Sequence, residues 1–233
     1  MSVADRLTEV RARMAAAARS AGRDPSSVLL VAISKTFPID RVREVYAAGQ
    51  RDFGENRVQE ALDKMAGAGE LPLRWHLVGH LQSNKARRAA SAFAVIQSID
   101  SLELLQKVDA AAAAAGASPE LLIQVDLAGE TTKFGIPPSG VPPLLEAAAR
   151  LRAARVVGLM TLPPFPETPE DSRPWFRRLR ELQEKWLAAG VPAAMLRELS
   201  MGMSGDFEVA VQEGATIVRV GTAIFGRRVP TSK

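Results

Sequence analysis

Eight short apolar or β-branched runs alternate along this sequence with stretches of helical periodicity. The runs predicted to form strands cover residues 28–34, 51–54, 74–78, 94–99, 121–127, 155–161, 198–201 and 216–220. The stretches predicted to form helices cover residues 4–21, 40–48, 57–66, 84–90, 102–115, 140–153, 170–189 and 207–213. Strands joined through a helix pair in parallel, because the helix returns the chain to the same edge. The pattern therefore predicts an α/β fold, a (β/α)8 TIM barrel with an extra N-terminal helix.

The main competing fold is a doubly wound open sheet, which also alternates strands and helices. That fold typically carries a glycine-rich turn for a dinucleotide after its first strand. Here the first predicted strand is followed by "SKTFPID", which contains no glycine. A length of 233 residues suits one α/β barrel, so we expect a single domain spanning residues 1–233.

Composition excludes several kinds of site and partner. The chain has no cysteine, which excludes disulfides and thiolate metal ligands, and its formal charge is only +4. No apolar run is long enough to cross a bilayer and the N-terminal segment lacks a signal-peptide core, so we expect a cytoplasmic protein without a membrane partner. The basic clusters "KARRAA" and "RPWFRRLRELQEK" fit solvated helix faces, so we expect no nucleic-acid partner.

A lysine follows the first predicted strand. Leu29, Val31 and Ile33 form one apolar face of this strand and the residues between them form another, which is typical of a parallel strand covered on both sides. Lys35 continues the face of Ile33 at the carboxyl end, where TIM barrels carry their active sites. A solvated loop lysine is the simpler interpretation. An apolar wall around Lys35 would instead lower the pKa of its amine and favour a Schiff-base nucleophile.

Small and hydroxyl-bearing residues follow the seventh and eighth predicted strands. "ELSMGMSGDF" contains Ser200, Gly202 and Ser204, and "TIVRVGTAIFG" contains Gly221 and Thr222. In TIM barrels the loops after these two strands frequently bind phosphate through backbone N–H groups and hydroxyls. Either loop alone would be ordinary turn chemistry. Their joint occurrence at neighbouring strand ends predicts a phosphate site.

Arg219 has the same strand parity as Ile217 and Gly221, so it is predicted to point into the barrel mouth. A buried arginine needs an acceptor or an anion. The residues alone leave two alternatives open. Arg219 either meets a bound ligand or forms a salt bridge with a carboxylate such as Asp126 or Glu198.

Two histidines and two further lysines are also candidate site residues. His76 and His80 would share one face of an extended strand, but "HLVGH" supplies neither an acidic nor a third ligand, so we predict no metal site and a hydrogen-bonded His76. Lys85 and Lys133 are rival Schiff-base lysines. Their polar contexts, "QSNKARR" and "ETTKFG", favour solvated side chains.

Six motifs together resemble one known family. They are "VAISKTFP", "FGENRVQE", "WHLVGHLQSNK", "GLMTLPP", "LSMGMSGDFEVA" and "VRVGTAIFG", and they run in unbroken order from the first helix to Gly226. The sequence is similar to the pyridoxal 5'-phosphate homeostasis protein family. The resemblance implies the fold of the alanine racemase N-terminal domain, one barrel that holds pyridoxal 5'-phosphate (PLP) as a lysine aldimine.

The resemblance also implies a role for each matching residue. Lys35 matches the Schiff-base lysine, and Arg219 matches the arginine that donates a hydrogen bond to the pyridine nitrogen. The other matches form the phosphate cradle and the pocket wall; they are Ser204, Gly221 and Thr222 for the cradle, and Asn56 and Ser200 for the wall. Two positions at the predicted pocket rim depart from the family pattern, Asp126 where asparagine is usual and Phe134 where a small residue often occurs.

The function implied by the resemblance is a carrier in vitamin B6 homeostasis and amino-acid balance, with PLP-dependent apo-enzymes as candidate partners and without a catalytic residue of its own. The alternative is an amino-acid racemase, and racemases of this fold use a tyrosine from a separate domain as second base. Tyr46 is the only tyrosine and the sequence ends at Lys233, so we expect no such domain, and we expect a monomer. His76 and His80 are the other candidates for a second base. A Schiff-base aldolase fits the phosphate loops but not the family motifs.

Overall fold

The computed structural model describes residues 1–129 and 134–226, and its centre is a closed barrel of eight strands. The strands are parallel and follow one another around the barrel in chain order. They are β1 (Leu29–Ile33), β2 (Asp52–Glu55), β3 (Arg74–Leu77), β4 (Val95–Ile99), β5 (Glu120–Gln124), β6 (Arg155–Met160), β7 (Glu198–Ser200) and β8 (Ile217–Val220). The predicted TIM barrel is therefore confirmed, and each predicted strand overlaps an observed one.

Helices surround the barrel, one of them preceding the first strand. They are α1 (Val3–Ser20), α2 (Ile39–Ala47), α3 (Val58–Ala68), α4 (Ala86–Ala92), α5 (Leu102–Ala115), α6 (Val141–Ala148), α7 (Arg173–Ala188), α8 (Phe207–Gln212) and α9 (Thr222–Phe225). The extra N-terminal helix is confirmed, whereas the four-residue α9 was not predicted. Within the two described ranges, no helix is both long and apolar enough to cross a membrane.

Helix α6 ends at Ala148, although the predicted helical segment extended over residues 140–153. The backbone amides of residues 152–154 donate instead to the carboxylate of Asp109 on α5, at 2.9 to 3.1 Å. A side-chain acceptor thus replaces the helical carbonyls and directs the chain into β6. The sequence pattern could not reveal this contact, because Asp109 and its partners are more than forty residues apart.

Apolar side chains form two clusters, a small one inside the barrel and a much larger one between the strands and the helices. The inner cluster contains Val31, Ile33, Val78, Val95, Leu122, Val157, Met160 and Ile217. Leu30 and Ala32 of β1 belong to the outer cluster, which confirms the predicted burial of both faces of this strand. The remaining inner positions include buried polar residues, namely His76, Gln97, Ser200 and Arg219.

Ion pairs close the amino end of the barrel. Arg74 and Arg197 both bind Glu120, each with a nitrogen–oxygen distance of 2.5 Å. Arg197 also lies 3.1 Å from Glu198, and Arg74 lies 3.5 Å from Asp52. We refer to these five residues as the amino-end ring. Each arginine in this ring has two carboxylate partners, and Glu120 is shared by both arginines.

Candidate functional site

Lys35 lies directly after β1, on the turn that leads into α2 at the carboxyl end of the barrel. Its side chain is half-buried, and the next residue, Thr36, has a φ of 67°. A β-branched residue rarely adopts this left-handed conformation, so the turn carries strain that its neighbours must offset.

A buried lysine of α3 supports this turn. The Nζ of Lys64 donates to the backbone carbonyl of Ser34 at 2.7 Å and lies 2.6 Å from Oε1 of Glu55. The hydroxyl of Ser34 donates to the same carboxylate oxygen at 2.6 Å. Burial raises the pKa of Glu55 above that of an exposed glutamate, while its bonds to Lys64 and Ser34 act in the opposite direction. The residue before Lys35 is therefore held by both its carbonyl and its hydroxyl.

The residue after Lys35 is held by the same cluster. Glu60 lies 2.9 Å from the Nζ of Lys64 and accepts the backbone amide of Thr36. We call Glu55, Glu60 and Lys64 the lysine clamp. Because the clamp fixes both neighbours of Lys35, it offsets the strain of the turn and restricts where the amine can point.

Arg219, the third residue of β8, is 4% exposed. Its Nη1 donates to Oγ of Ser200 at 2.6 Å and its Nη2 donates to the carbonyl oxygen of Thr161 at 2.9 Å. Burial lowers the pKa of Arg219 to about 10, and the charge of Asp206 opposes this shift. Within residues 1–129 and 134–226, Arg219 forms no ion pair.

The salt-bridge alternative for Arg219 does not hold for either of the two carboxylates considered. Asp126 accepts two backbone N–H groups of its own loop, at 3.0 and 3.1 Å. Glu198 lies at the opposite end of the barrel and pairs with Arg197. A guanidinium has five N–H donors, and Arg219 gives two hydrogen bonds to the described residues, so donors remain for a ligand.

Ser200 connects Arg219 to a row of buried polar side chains. Its hydroxyl donates to Oε1 of Gln97 at 2.6 Å, and Nε2 of Gln97 lies 3.1 Å from Nδ1 of His76. Nε2 of His76 lies 2.9 Å from Oδ1 of Asp52. We call this continuous row, from Arg219 to Asp52, the inner-barrel chain. The predicted hydrogen-bonded role of His76 is confirmed, and burial lowers the pKa of its imidazole despite the opposing effect of Asp52.

The loops after β7 and β8 meet through Ser204. Its hydroxyl oxygen accepts the backbone amides of Gly221 at 3.2 Å and of Ala223 at 3.3 Å. Gly202 has a φ of 93°, and a Cβ there would lie 2.5 Å from the Cβ of Ala210, so the turn requires glycine. The structure thus brings together the two loops predicted to bind phosphate. The N–H groups that donate to Ser204 lie at the start of α9, and backbone amides at helix starts are the kind of donor that binds anions.

Asn56 and Thr222 lie just beyond the carboxyl ends of β2 and β8. Thr222 is the first residue of α9, and Asn56 follows β2 and is half-buried. The backbone of Asn56 packs tightly on Gly79, where a Cβ would lie 2.3 Å from the Asn56 carbonyl oxygen. Both residues therefore lie at the carboxyl end, together with Lys35 and Arg219.

His80 lies apart from His76, beyond the end of β3. Its ring stacks on Phe134 with centroids 3.6 Å apart and an angle of 9°, and its Nδ1 lies 3.3 Å from Oδ2 of Asp100. Phe134, one of the departures from the family pattern, is thus a partner of this histidine. In the part of the chain that the structure describes, no three potential ligands are grouped for a metal ion.

The rival lysines and the tyrosine occupy other places. Lys85 ends a 3-10 turn (Ser83–Lys85) and is half-buried, and Lys133 lies outside the described residues. Tyr46 belongs to α2 and packs against the outer cluster, with the guanidinium of Arg51 4.0 Å from its ring centroid. Tyr46 is therefore a packing residue of the helical layer.

Residues 6–229 match the family model described as "Alanine racemase, N-terminal domain". The class of protein defined by the fold is thus the alanine racemase N-terminal barrel. A curated relative, the "Pyridoxal phosphate homeostasis protein" of Aquifex aeolicus (strain VF5), is 43% identical over 228 residues, which cover 98% of this chain and 99% of the relative. The protein of the same name from Pseudomonas aeruginosa is 44% identical over 227 residues, covering 97% and 96%.

A solved structure gives the same result. PipY of Synechococcus elongatus PCC7942 with PLP bound is 42% identical, has a TM-score of 0.85, and is aligned over 97% of this chain and 100% of its own. This chain therefore belongs to the pyridoxal phosphate homeostasis protein family. The family predicted from the sequence motifs is confirmed.

Several residues around the site were not predicted from the sequence. Lys64 occurs in a helical segment with no feature that marks it as buried. Gln97 interrupts the apolar run "AVIQSI", and such a polar residue in a buried strand could have indicated a hydrogen-bond network. Asp52 and Thr161 gave no comparable signal, because their contacts depend on the register of the closed barrel.

Proposed function

We propose that this protein binds PLP at the carboxyl end of its barrel and contributes to intracellular PLP homeostasis as a carrier. The observation that carries this proposal is Arg219, a buried guanidinium with unused donors and no carboxylate partner among the described residues. Burying such a cation is costly unless an acceptor compensates it. The pyridine nitrogen of PLP is an acceptor of the required kind.

The other residues of the site fit the remaining groups of PLP. Lys35 would supply the amine that binds the aldehyde carbon, from a turn held by the lysine clamp. Ser204, Gly221 and Thr222 would bind the phosphate, and Asn56 would line the pocket. When bound, PLP supplies an aldehyde that bonds reversibly to an amine, which suits storage and delivery.

An arginine only donates hydrogen bonds, so Arg219 would keep the ring nitrogen unprotonated and weaken the ring as an electron sink. Racemases of this fold work with such an arginine when a second base is well placed, so the second base decides between a carrier and an enzyme. The candidate second bases have other contacts. Tyr46 packs in the helical layer, and His76 is fully buried in the inner-barrel chain. His80 stacks on Phe134 and lies 3.3 Å from Oδ2 of Asp100. These contacts support the view that the protein has no catalytic residue of its own.

The proposal extends to the setting of the carrier. We place the protein in the cytoplasm, as one monomeric domain of residues 1–233 that delivers PLP to apo-enzymes. A tag-free fractionation of cells and a light-scattering mass of the purified protein would check the location and the monomeric state.

The direct test is to load the protein with PLP, reduce it with borohydride and identify the modified peptide by mass spectrometry. We expect the cofactor mass on a peptide that contains Lys35, and its complete loss in Lys35→Ala. Lys85→Ala is the matched control and should retain the modification. A wild-type protein that cannot be loaded, or a modification that persists in Lys35→Ala, would contradict the proposal.

A second measurement separates the carrier from the alternative racemase. The loaded protein is incubated with a single enantiomer of alanine in deuterated water, and the α-proton is followed by NMR. A carrier leaves the α-proton in place at stoichiometric protein. Rapid exchange with the appearance of the opposite enantiomer would favour the racemase.

A further inference from the structure

The inner-barrel chain joins two charged groups at its ends. Arg219 forms one end and Asp52 forms the other, and Ser200, Gln97 and His76 lie between them. These three intermediate side chains are 0% exposed. Because the barrel interior around them is apolar, each broken link would leave a buried polar atom without a partner.

The chemistry of the ends fixes the direction of every hydrogen bond. Arg219 can only donate, so Ser200 accepts from it and directs its own hydroxyl proton to Gln97. The amide of Gln97 then presents its nitrogen to Nδ1 of His76. His76 is thereby set as the tautomer protonated on Nε2, which donates to the carboxylate of Asp52.

Hydrogen bonds that all run in the same direction polarise one another. The carboxylate of Asp52 favours the donor role of His76. Each hydrogen bond of the inner-barrel chain then favours the donor role of the next residue toward β8. At the far end, Ser200 presents a lone pair to Nη1 of Arg219. The carbonyl of Thr161 holds Nη2, so the guanidinium plane is fixed by two acceptors on two different strand ends.

We propose that Gln97, His76 and Asp52 are positioning residues that act through Ser200 on Arg219 and so set the strength with which the site binds the ring nitrogen of PLP. This inference rests on the proposed function. It assigns a binding role to residues of β2, β3 and β4, which the inner-barrel chain connects to Ser200 on β7 and Arg219 on β8. Asp52 belongs to the amino-end ring and acts on Arg219 through the full length of the inner-barrel chain.

The test compares PLP with its 1-deaza analogue, in which a C–H group replaces the ring nitrogen. Gln97→Leu interrupts the chain at its middle, and Asp52→Asn removes the charge at its far end. Ser98→Ala is the matched control, since Ser98 is the next residue of β4, is 0% exposed, and has a hydroxyl without a hydrogen-bond partner among the described residues. Apparent dissociation constants are measured by fluorescence titration at one pH.

We expect Gln97→Leu to weaken PLP binding about ten-fold, because Ser200 loses the partner that orients its hydroxyl relative to Arg219, and Asp52→Asn to weaken it less. Binding of the deaza analogue should be unchanged in both variants, and Ser98→Ala should match wild type with both compounds. The inference would be overturned if Gln97→Leu and Asp52→Asn lost affinity equally for PLP and for the analogue, or if neither variant lost affinity for PLP. If Gln97→Leu does not fold, Asp52→Asn supports the same comparison.

The same measurements distinguish a failure of the proposed function from a failure of this inference alone. A wild-type protein that binds neither PLP nor the analogue would overturn the proposed function, and the inference with it. A wild-type protein that binds PLP through Lys35, with chain variants that bind both compounds as wild type does, would overturn only the inference.

Discussion

The arginines at the two ends of the barrel differ in their burial and in their ion pairing. At the amino end, Arg74 and Arg197 lie 2.5 Å from Glu120, and each has a second carboxylate. At the carboxyl end, Arg219 is more deeply buried, and among the described residues it binds only the neutral oxygens of Ser200 and Thr161. Charges that served stability alone would not leave the most buried arginine of residues 1–129 and 134–226 without an ion pair there. Under the proposed function, the paired arginines close the fold and Arg219 is available to a ligand.

The energetics of the two ends explain this separation. The side chains of Arg74 and Arg197 are 42% and 47% exposed, and such ion pairs are worth about 0 to 1 kcal/mol each. Removing Arg219 from water costs several kcal/mol by comparison, and its lowered pKa reflects that cost. Binding sites are where proteins accept such costs, because a bound acceptor recovers them.

The largest expected effect concerns the lysine clamp, which is a paired and buried cation at the carboxyl end. Lys64→Met leaves the carboxylate of Glu55 buried without its partner, so we expect a loss of about 3 kcal/mol in the free energy of unfolding. Urea denaturation of the PLP-free protein measures it. The double variant Lys64→Met/Glu55→Gln should recover part of the loss. If the single variant is as stable as wild type, the clamp does not support the Lys35 turn.

The next effect tests Arg219 itself. Arg219→Leu should weaken PLP binding about 100-fold, or about 2.7 kcal/mol, because hydrogen bonds from a charged donor are lost. Its free energy of unfolding should stay within about 1 kcal/mol of wild type, because the variant removes a desolvated charge as well as two hydrogen bonds. Fluorescence titration and urea denaturation give the two values. A large loss of stability with unchanged PLP binding would reverse the comparison between the ends.

Sequence reasoning predicted the position of Arg219 but not its partners. Its parity on the eighth strand follows from the two-residue repeat of a β-strand, and the end of the barrel that it faces follows from the direction of parallel strands. Lys35, Ser204 and Gly221 were placed by the same local rules. These residues needed only the strand order, which the alternating pattern supplies.

The partners of Arg219 depend on distant parts of the chain. Ser200 and Gln97 are 103 residues apart, and their contact requires the closed barrel and its register. The salt bridge suggested for Glu198 was wrong for the same reason, since that residue begins β7 at the opposite end. Lys64 was missed because a single lysine on a helix is usually solvated. Tertiary contacts decided these cases, and no local pattern encodes them.

A third prediction concerns an acid that supports the amino end. The backbone amides of residues 152–154, just before β6, donate to Asp109. Burial alone would raise the pKa of Asp109, but these bonds outweigh it and hold the pKa below its usual value. The resulting stability is present above the pKa of an unfolded aspartate, about 3.9, and is lost as the pH falls through the lower folded value.

We therefore expect Asp109→Asn to lose about 2 kcal/mol of unfolding free energy at pH 7, because an amide oxygen is a weaker acceptor than a carboxylate. The difference from wild type should shrink below about pH 4, where the carboxylate becomes protonated in the unfolded chain while the folded protein still holds it ionised. Thermal melts from pH 3 to pH 7 measure both effects, and PLP binding at pH 7 should be unchanged. A difference between the two proteins that does not depend on pH would show that Asp109 acts through packing alone.

The smallest effect on stability is expected in the amino-end ring. Glu120→Gln removes the carboxylate shared by Arg74 and Arg197, yet each arginine keeps a second acidic partner. Because these arginines are partly exposed, the loss in unfolding free energy should be about 1 kcal/mol or less, and it should diminish further in 1 M salt. Urea denaturation at low and high salt measures it, with PLP binding as the second readout. A loss of PLP binding as large as that of Arg219→Leu would mean that the two ends do not have separate roles.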